Sequence, residues 1–149
     1  MTSTFDPALL EETVVDVANA TSGLTVPEGE FTALIEDYTF RAKITTKFGE
    51  RVPLDIFWTI DDADLRKKFD RDVITVKQSL LLELNEDESL AVGPGQNAAL
   101  GRLRAALNLN GKGFSFLKLK GAGPARVLVT HRVVDADTFS EIKKVVPMA

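Results

Sequence analysis

The sequence predicts a mainly β domain: a five-stranded barrel with one helix between its third and fourth strands and an N-terminal arm ahead of it. Three observations carry this reading. Apolar residues recur with period two over residues 52–60 and again over 74–84, the spacing of half-buried strands. One well-formed helical stripe, Leu100, Leu103 and Leu107, follows the second of these runs. Glycine and proline clusters at 27–29, 93–95 and 121–124 separate the periodic segments. A chain of 149 residues suits a single hydrophobic core. It divides into an acidic arm over residues 1–25 and a barrel domain over 26–149.

In the arm, Leu9, Leu10, Val14, Val15 and Val17 form a weak amphipathic pattern, readable as a short helix or an extended segment. The first strand covers about residues 30–45. Phe31, Ala33 and Ile35 alternate on one side, and Tyr38, Phe40, Ala42 and Ile44 alternate out of phase with them. One extra residue near Glu36-Asp37 produces that shift. After the KFGE turn at 47–50, Val52, Leu54, Ile56, Trp58 and Ile60 alternate with Pro53, Asp55, Phe57 and Thr59 in the second strand. Residues 61–70, DDADLRKKFD, read as a short capped helix or a charged excursion. Ile74, Val76, Leu80, Leu82 and Leu84 make the third strand, which ends in the turn NEDE and a short extension at 89–92. Gly93-Pro94-Gly95 stops the chain there, and Gln96-Asn97 can cap the helix that closes over 108–111. Residues 126–134 and 138–146 read as the last two strands. This order is that of an oligonucleotide-binding (OB) barrel, a sheet that manages its edges by closing on itself, although a generic α+β sandwich gives a similar string.

Composition excludes several classes of function. Hydrophobic residues make up 44% and charged residues 27%, as in ordinary folded, water-soluble proteins. No apolar run approaches the roughly 18 residues of a membrane span, and the opening MTSTFDPALLEE is acidic where a signal or transit peptide is basic. The expectation is a protein of the cytoplasm, without a membrane partner. The absence of cysteine removes disulfides, thiolate nucleophiles and Cys-ligated zinc, and a single histidine removes two-His sites. His131, in phase with Val129 and Val133, reads as an inward-facing, hydrogen-bonded residue. Asp61-Asp62-Asp64 and Glu86-Asp87-Glu88 lack the spacing and central glycine of a calcium loop and read as solvated turns. The stretch GPGQNAALG at 93–101 has no Lys-Ser or Lys-Thr of a phosphate loop and reads as a turn and helix cap. The expectation is therefore no catalytic residue, no metal and no cofactor.

The net charge of −4 hides an uneven distribution. Residues 1–40 hold eight acidic side chains and no Lys or Arg, for −8, whereas residues 41–149 hold eighteen basic and fourteen acidic ones, for +4. Residues 97–149 alone carry nine basic against three acidic. A basic surface with interleaved flat side chains is what single-stranded nucleic acid needs, phosphates going to the cations and bases to the rings. Arg41 and Lys43 share one face of the first strand, and Lys47, Phe48 and Arg51 stand in the first turn. Phe57 projects opposite Trp58, Lys77 lies away from Leu80 and Leu82, and Lys118, Lys120 and Arg132 surround the last hairpin. On an OB barrel, the second and third strands and the loops joining one to two and four to five form the binding face. Arg41, Lys43, Lys47, Arg51, Lys77, Lys118, Lys120 and Arg132 are the expected phosphate contacts. Phe48, Phe57 and Trp58 are the expected stacking residues.

The pattern PEGEFTALIED, then VPLDIFWTI, then GPGQNAALGRLRAALNLN and FSFLKLKGAGPARVLVTHRV resembles a family of small phage single-stranded DNA-binding proteins from replication and recombination modules. The matching positions are Pro27, Gly29 and Phe31, then Leu100, Leu103 and Leu107, then Leu119 to Gly121, within residues 26–146. The resemblance implies an OB-like fold and a non-enzymatic coat for single-stranded DNA in the bacterial host cytoplasm. Single-stranded RNA, further copies of the chain and phage replication or recombination proteins are the other partners it implies. Many single-strand binders end in an acidic tail with a terminal aromatic, whereas this sequence ends KKVVPMA. The acidic first 40 residues are then the segment expected to do equivalent work. Two rival functions remain: a virion structural or assembly protein built on a small β-barrel, and a nuclease with Mg²⁺ at Asp61-Asp62-Asp64.

Overall fold

The computed structural model describes residues 5–18 and 25–148, and within them the period-two segments form one six-stranded sheet. In chain order the elements are α1 (Pro7–Glu12), β1 (Gly29–Phe40), β2 (Ile44–Thr46), β3 (Gly49–Ile60), α2 (Ala63–Phe69), β4 (Thr75–Glu83), α3 (Ala98–Ala106), a 3₁₀ turn (Phe116–Leu119), β5 (Ala125–Val134) and β6 (Asp137–Pro147). The strands run β1-β5-β6-β4-β3-β2, and β1 also pairs with β3. That second pairing closes β1, β3, β4, β6 and β5 into a five-stranded barrel and leaves β2 outside it. With α3 between the third and fourth barrel strands, the architecture is OB-like.

The alternation read from the sequence decides which side chains fill the barrel. Leu54, Ile56, Trp58 and Ile60 of β3 point inward together with Val76, Leu80 and Leu82 of β4 and Val127 and Val129 of β5. Gln78 shares the inward face of β4, and its Oε1 accepts the indole N–H of Trp58 at 2.9 Å, so neither buried polar group is left unpaired. Leu100 and Leu103 of α3 and Leu119 of the 3₁₀ turn are buried in the same core.

β1 serves two neighbours, and the phase shift near Glu36 is what lets it do so. Gly29 to Ala33 pair with β5, Ala33 to Phe40 pair with β3, and the β3 register slips between Ile35 and Asp37. Where β5 leaves β1, the segment after the 3₁₀ turn takes its place: Ile35 N–H donates to Ala122 O, and Gly121 N–H donates to Ile35 O. Gly123 is essential to this approach. Its φ is +117°, and a Cβ there would lie 3.1 Å from Ala33 O.

Three expectations need correction. The first strand does not run to residue 45; β1 ends at Phe40, and Ile44–Thr46 form the separate β2, which folds back on β3 through the turn at 47–48. Asn97 occupies the N-cap position of α3 without capping it. Its amide instead bonds Glu83 N, Glu83 O and Ala91 O, tying the helix start to the end of β4. Val133 is exposed because the β5–β6 hairpin projects beyond the barrel, and His131 sits at the rim rather than inside, with Nε2 2.7 Å from Val26 O. Residues 61–70 do form a capped helix: Asp62 accepts the Leu65 N–H, and Asp70 ends α2 in the left-handed region.

The arm is described over residues 5–18, and every one of them is exposed. Asp6 caps the short α1 by accepting the Ala8 N–H. Residues 1–4 and 19–24 of the expected arm lie outside the described residues. Among the described residues no helix is long and apolar enough to cross a membrane.

Candidate nucleic-acid interface

Because the apolar half of each strand fills the barrel, the outward half carries the polar residues. Across β1, β3 and β4 the register sets Thr39 opposite Asp55, Asp55 opposite Ser79 and Phe57 opposite Lys77. Asp55 is the centre of this face and is only 6% exposed. Ser79 Oγ donates to its Oδ1 at 2.7 Å, and Arg41 Nε lies 3.0 Å from its Oδ2. The carboxylate thus fixes a guanidinium whose side chain remains about half exposed. Glu36, the residue at the β1 phase shift, places a carboxylate near Thr59 and Thr75 at the upper edge.

The groove beside this face comes from the way the barrel closes. β4 and β6 are parallel and pair at one position, Lys77 with Glu141. The β5–β6 hairpin turns at Asp135-Ala136, both at positive φ, a geometry that follows the twist of the strands. Between the hairpin and β4 lies a groove of about 620 Å³ lined by Arg41, Lys77, Arg132, Thr138, Phe139 and Glu141, among others. Arg132 and Phe139 are direct cross-strand partners, and Phe139 is 47% exposed. Arg132 Nε is 3.6 Å from Glu141 Oε2, whereas Lys77 has no carboxylate partner among the described residues. Three cations from three separate parts of the sequence, at 41, 77 and 132, thereby line one groove with an accessible ring.

The remaining expected residues divide into three groups. Lys43, Lys47, Phe48 and Arg51 lie in or beside the β2–β3 hairpin, outside the groove. Lys43 Nζ bridges Glu88 at 2.9 Å and Glu50 at 3.4 Å, bonds that hold its pKa above the usual 10.5, and Arg51 pairs with Glu83. Phe48 is 74% exposed at the tip with Lys47 over its ring. Lys118 and Lys120 do not flank the last hairpin. They belong to the 3₁₀ turn and its exit, on the segment laced to β1, and they do not line the groove. Trp58 cannot stack on a base: it is 0% exposed and bonded to Gln78, so Phe57 is the outward ring of that strand.

Phe139, Asp55 and Ser79 belong to the site without having been singled out in the sequence. Phe139 had a usable signal: it is out of phase with the buried Ile142, so a ring in an otherwise polar alternation faces outward. Asp61 and Asp62 of the acidic cluster have structural partners, Arg66 and the Leu65 N–H. Among the described residues no three acidic or histidine side chains are grouped to hold a metal. Compared with known proteins, the chain matches no family model and no characterised sequence.

Proposed function

We propose that the chain is a non-enzymatic single-stranded DNA-binding protein that coats exposed strands with little sequence preference during phage replication or recombination. The observation that carries this reading is the groove between β4 and the β5–β6 hairpin, which Arg41, Lys77 and Arg132 line together with the half-exposed Phe139. Cations at that spacing neutralise phosphates, and a ring accepts any base because every base has a π-face. Arg41 and Arg132 are held by Asp55 and Glu141 in the free protein. Arg132–Glu141 is an exposed pair of a kind worth only about 0–1 kcal/mol, so a phosphate replaces Glu141 at small cost; Arg41 stays anchored on the buried Asp55 and offers a phosphate the exposed part of its guanidinium. The resemblance of residues 26–146 to phage single-strand binders supports the same reading and is the reason for naming DNA, replication and recombination.

Titration of oligo-dT at two salt concentrations tests it. Affinity should fall steeply with salt as counterions are released. No binding at low salt, or binding indifferent to salt, excludes the function. One observation favours a second reading, virion assembly: Phe5, Leu9, Leu10, Val14, Val15 and Val17 are all 64–79% exposed, an apolar arm suited to a neighbouring subunit. Large homo-oligomers by light scattering, with no oligonucleotide shift, would favour it.

A further inference from the structure

Beyond their single pairing at Lys77 and Glu141, β4 and β6 separate, and α3 packs against both strands below the seam. A second cleft of about 300 Å³ opens there between α3, β4 and β6. It abuts the first, since Ser79 lines both. Its charged lining is Arg102 of α3 and Lys143 and Lys144 of β6, and no carboxylate lines it. None of these three cations forms an ion pair among the described residues. Two consecutive strand residues ordinarily point to opposite faces. Here the β5–β6 register passes from Val129 opposite Ile142 to Leu128 opposite Lys144, leaving Lys143 as an inserted residue, and both lysines reach the same cleft.

We propose that this cleft is a second phosphate-binding segment, and that a bound strand runs along the β4–β6 seam from the Arg41–Lys77–Arg132 groove past Ser79 to Arg102, Lys143 and Lys144. The extension rests on the single-strand binding proposed above. The two clefts together follow β4 over residues 75–80, a path of about 17 Å at ~3.3 Å per residue. The absence of acidic residues from the second cleft makes it the segment where a polyanion displaces no resident carboxylate.

The test compares the dinucleotide dTpT, whose single phosphodiester is too short to reach from one cleft into the next, with oligo-dT of about twelve nucleotides, inside the ~4–16-nucleotide site sizes of single OB barrels. The variant is Arg102→Gln, Lys143→Gln and Lys144→Gln together, which keeps the side-chain stems; its thermal unfolding by circular dichroism checks the fold. The short oligonucleotide should bind within about twofold of the unaltered chain. For the long one, the slope of log affinity against log salt should be shallower by about 2, three contacts at about 0.7 each. An unchanged slope on the long oligonucleotide, or an equal loss on both lengths, overturns the extension while leaving single-strand binding standing. Failure of the unaltered chain to bind either oligonucleotide overturns both.

Discussion

In the β2–β3 hairpin Lys43 spans Glu50 and Glu88, and Arg51 holds Glu83; along the β4–β6 seam Lys77, Arg102, Lys143 and Lys144 form no ion pair among the described residues. Both regions flank the face on which an OB barrel binds oligonucleotides, and both are rich in cations. A phosphate approaching the hairpin competes with carboxylates already in place, two of them at Lys43. At the seam it competes only for the arginines held by Asp55 and Glu141. The number of basic residues in a segment is therefore a poor guide to where a polyanion lies. The number left unpaired by the fold is a better one.

The strongest test of this difference removes charge from each region in turn. Arg41→Ala, Lys77→Ala and Arg132→Ala together should make the salt dependence of oligo-dT affinity shallower by about 2 in log–log slope. Lys43→Ala, Lys47→Ala and Arg51→Ala together should change it by less than half as much. Equal changes would erase the distinction. Next in size, Phe139→Ala should weaken oligo-dT binding by about 1–3 kcal/mol, the usual value of one stacked base, with the slope unchanged. A loss of that size on Phe48→Ala instead would move the stacking site to the hairpin tip.

Smaller effects sharpen the same contrast. Lys43→Ala alone should alter affinity by no more than about twofold, since Lys43 lies outside the groove and its ammonium is shared between Glu88 and Glu50. Its raised pKa gives the sign of the pH effect: the pairing with Glu50 and Glu88 is fully present below the ordinary value of 10.5 and fades only as pH rises through the higher folded value. Affinity measured between pH 7 and 9 should therefore show no Lys43 titration. At the lower end, Trp58→Phe should leave oligo-dT affinity unchanged. Urea unfolding of the same variant should show a loss of about 1–3 kcal/mol, because Gln78 Oε1 is left buried without its donor.

The barrel was legible because period-two alternation is a local signal, and one core-facing set per strand is enough to order the sheet. The phase shift at Glu36 could be read for the same reason, from Ile35 and Tyr38 both being apolar. The site was less legible. Arg41, Lys77 and Arg132 could be named from their outward phase, but their meeting in one groove depends on a parallel β4–β6 closure between strands far apart in sequence. The carboxylates engaging Lys43 and Arg51 come from residues 50, 83 and 88, and two of those three partners lie on a different element. Trp58 shows the opposite limit. Its inward phase was plain, yet its indole N–H needed a buried acceptor, and Gln78, sitting among leucines, supplies it.

The slip in β1 has a consequence for which changes of length the chain can tolerate. Upstream of Glu36 the odd-numbered residues Phe31, Ala33 and Ile35 face the barrel; downstream the even-numbered Tyr38 does, and Phe40 shares its phase while 47% exposed at the strand end. Removing Glu36 itself would set Ile35 and Tyr38 two positions apart, so strict alternation would keep both facing the barrel and leave Thr39 and Arg41 on the outer face. Removing Thr39 instead, with the slip kept, would turn Phe40 to the outer face and the Arg41 guanidinium toward the barrel, away from Asp55. The length of β1 is thus as binding a part of the sequence as any side chain within it, except at the slip itself, where one residue is spare. By the same reasoning the turn at 86–88, whose residues are exposed and outside the strands, should accept removal of Glu86 where the rest of β1 accepts no deletion.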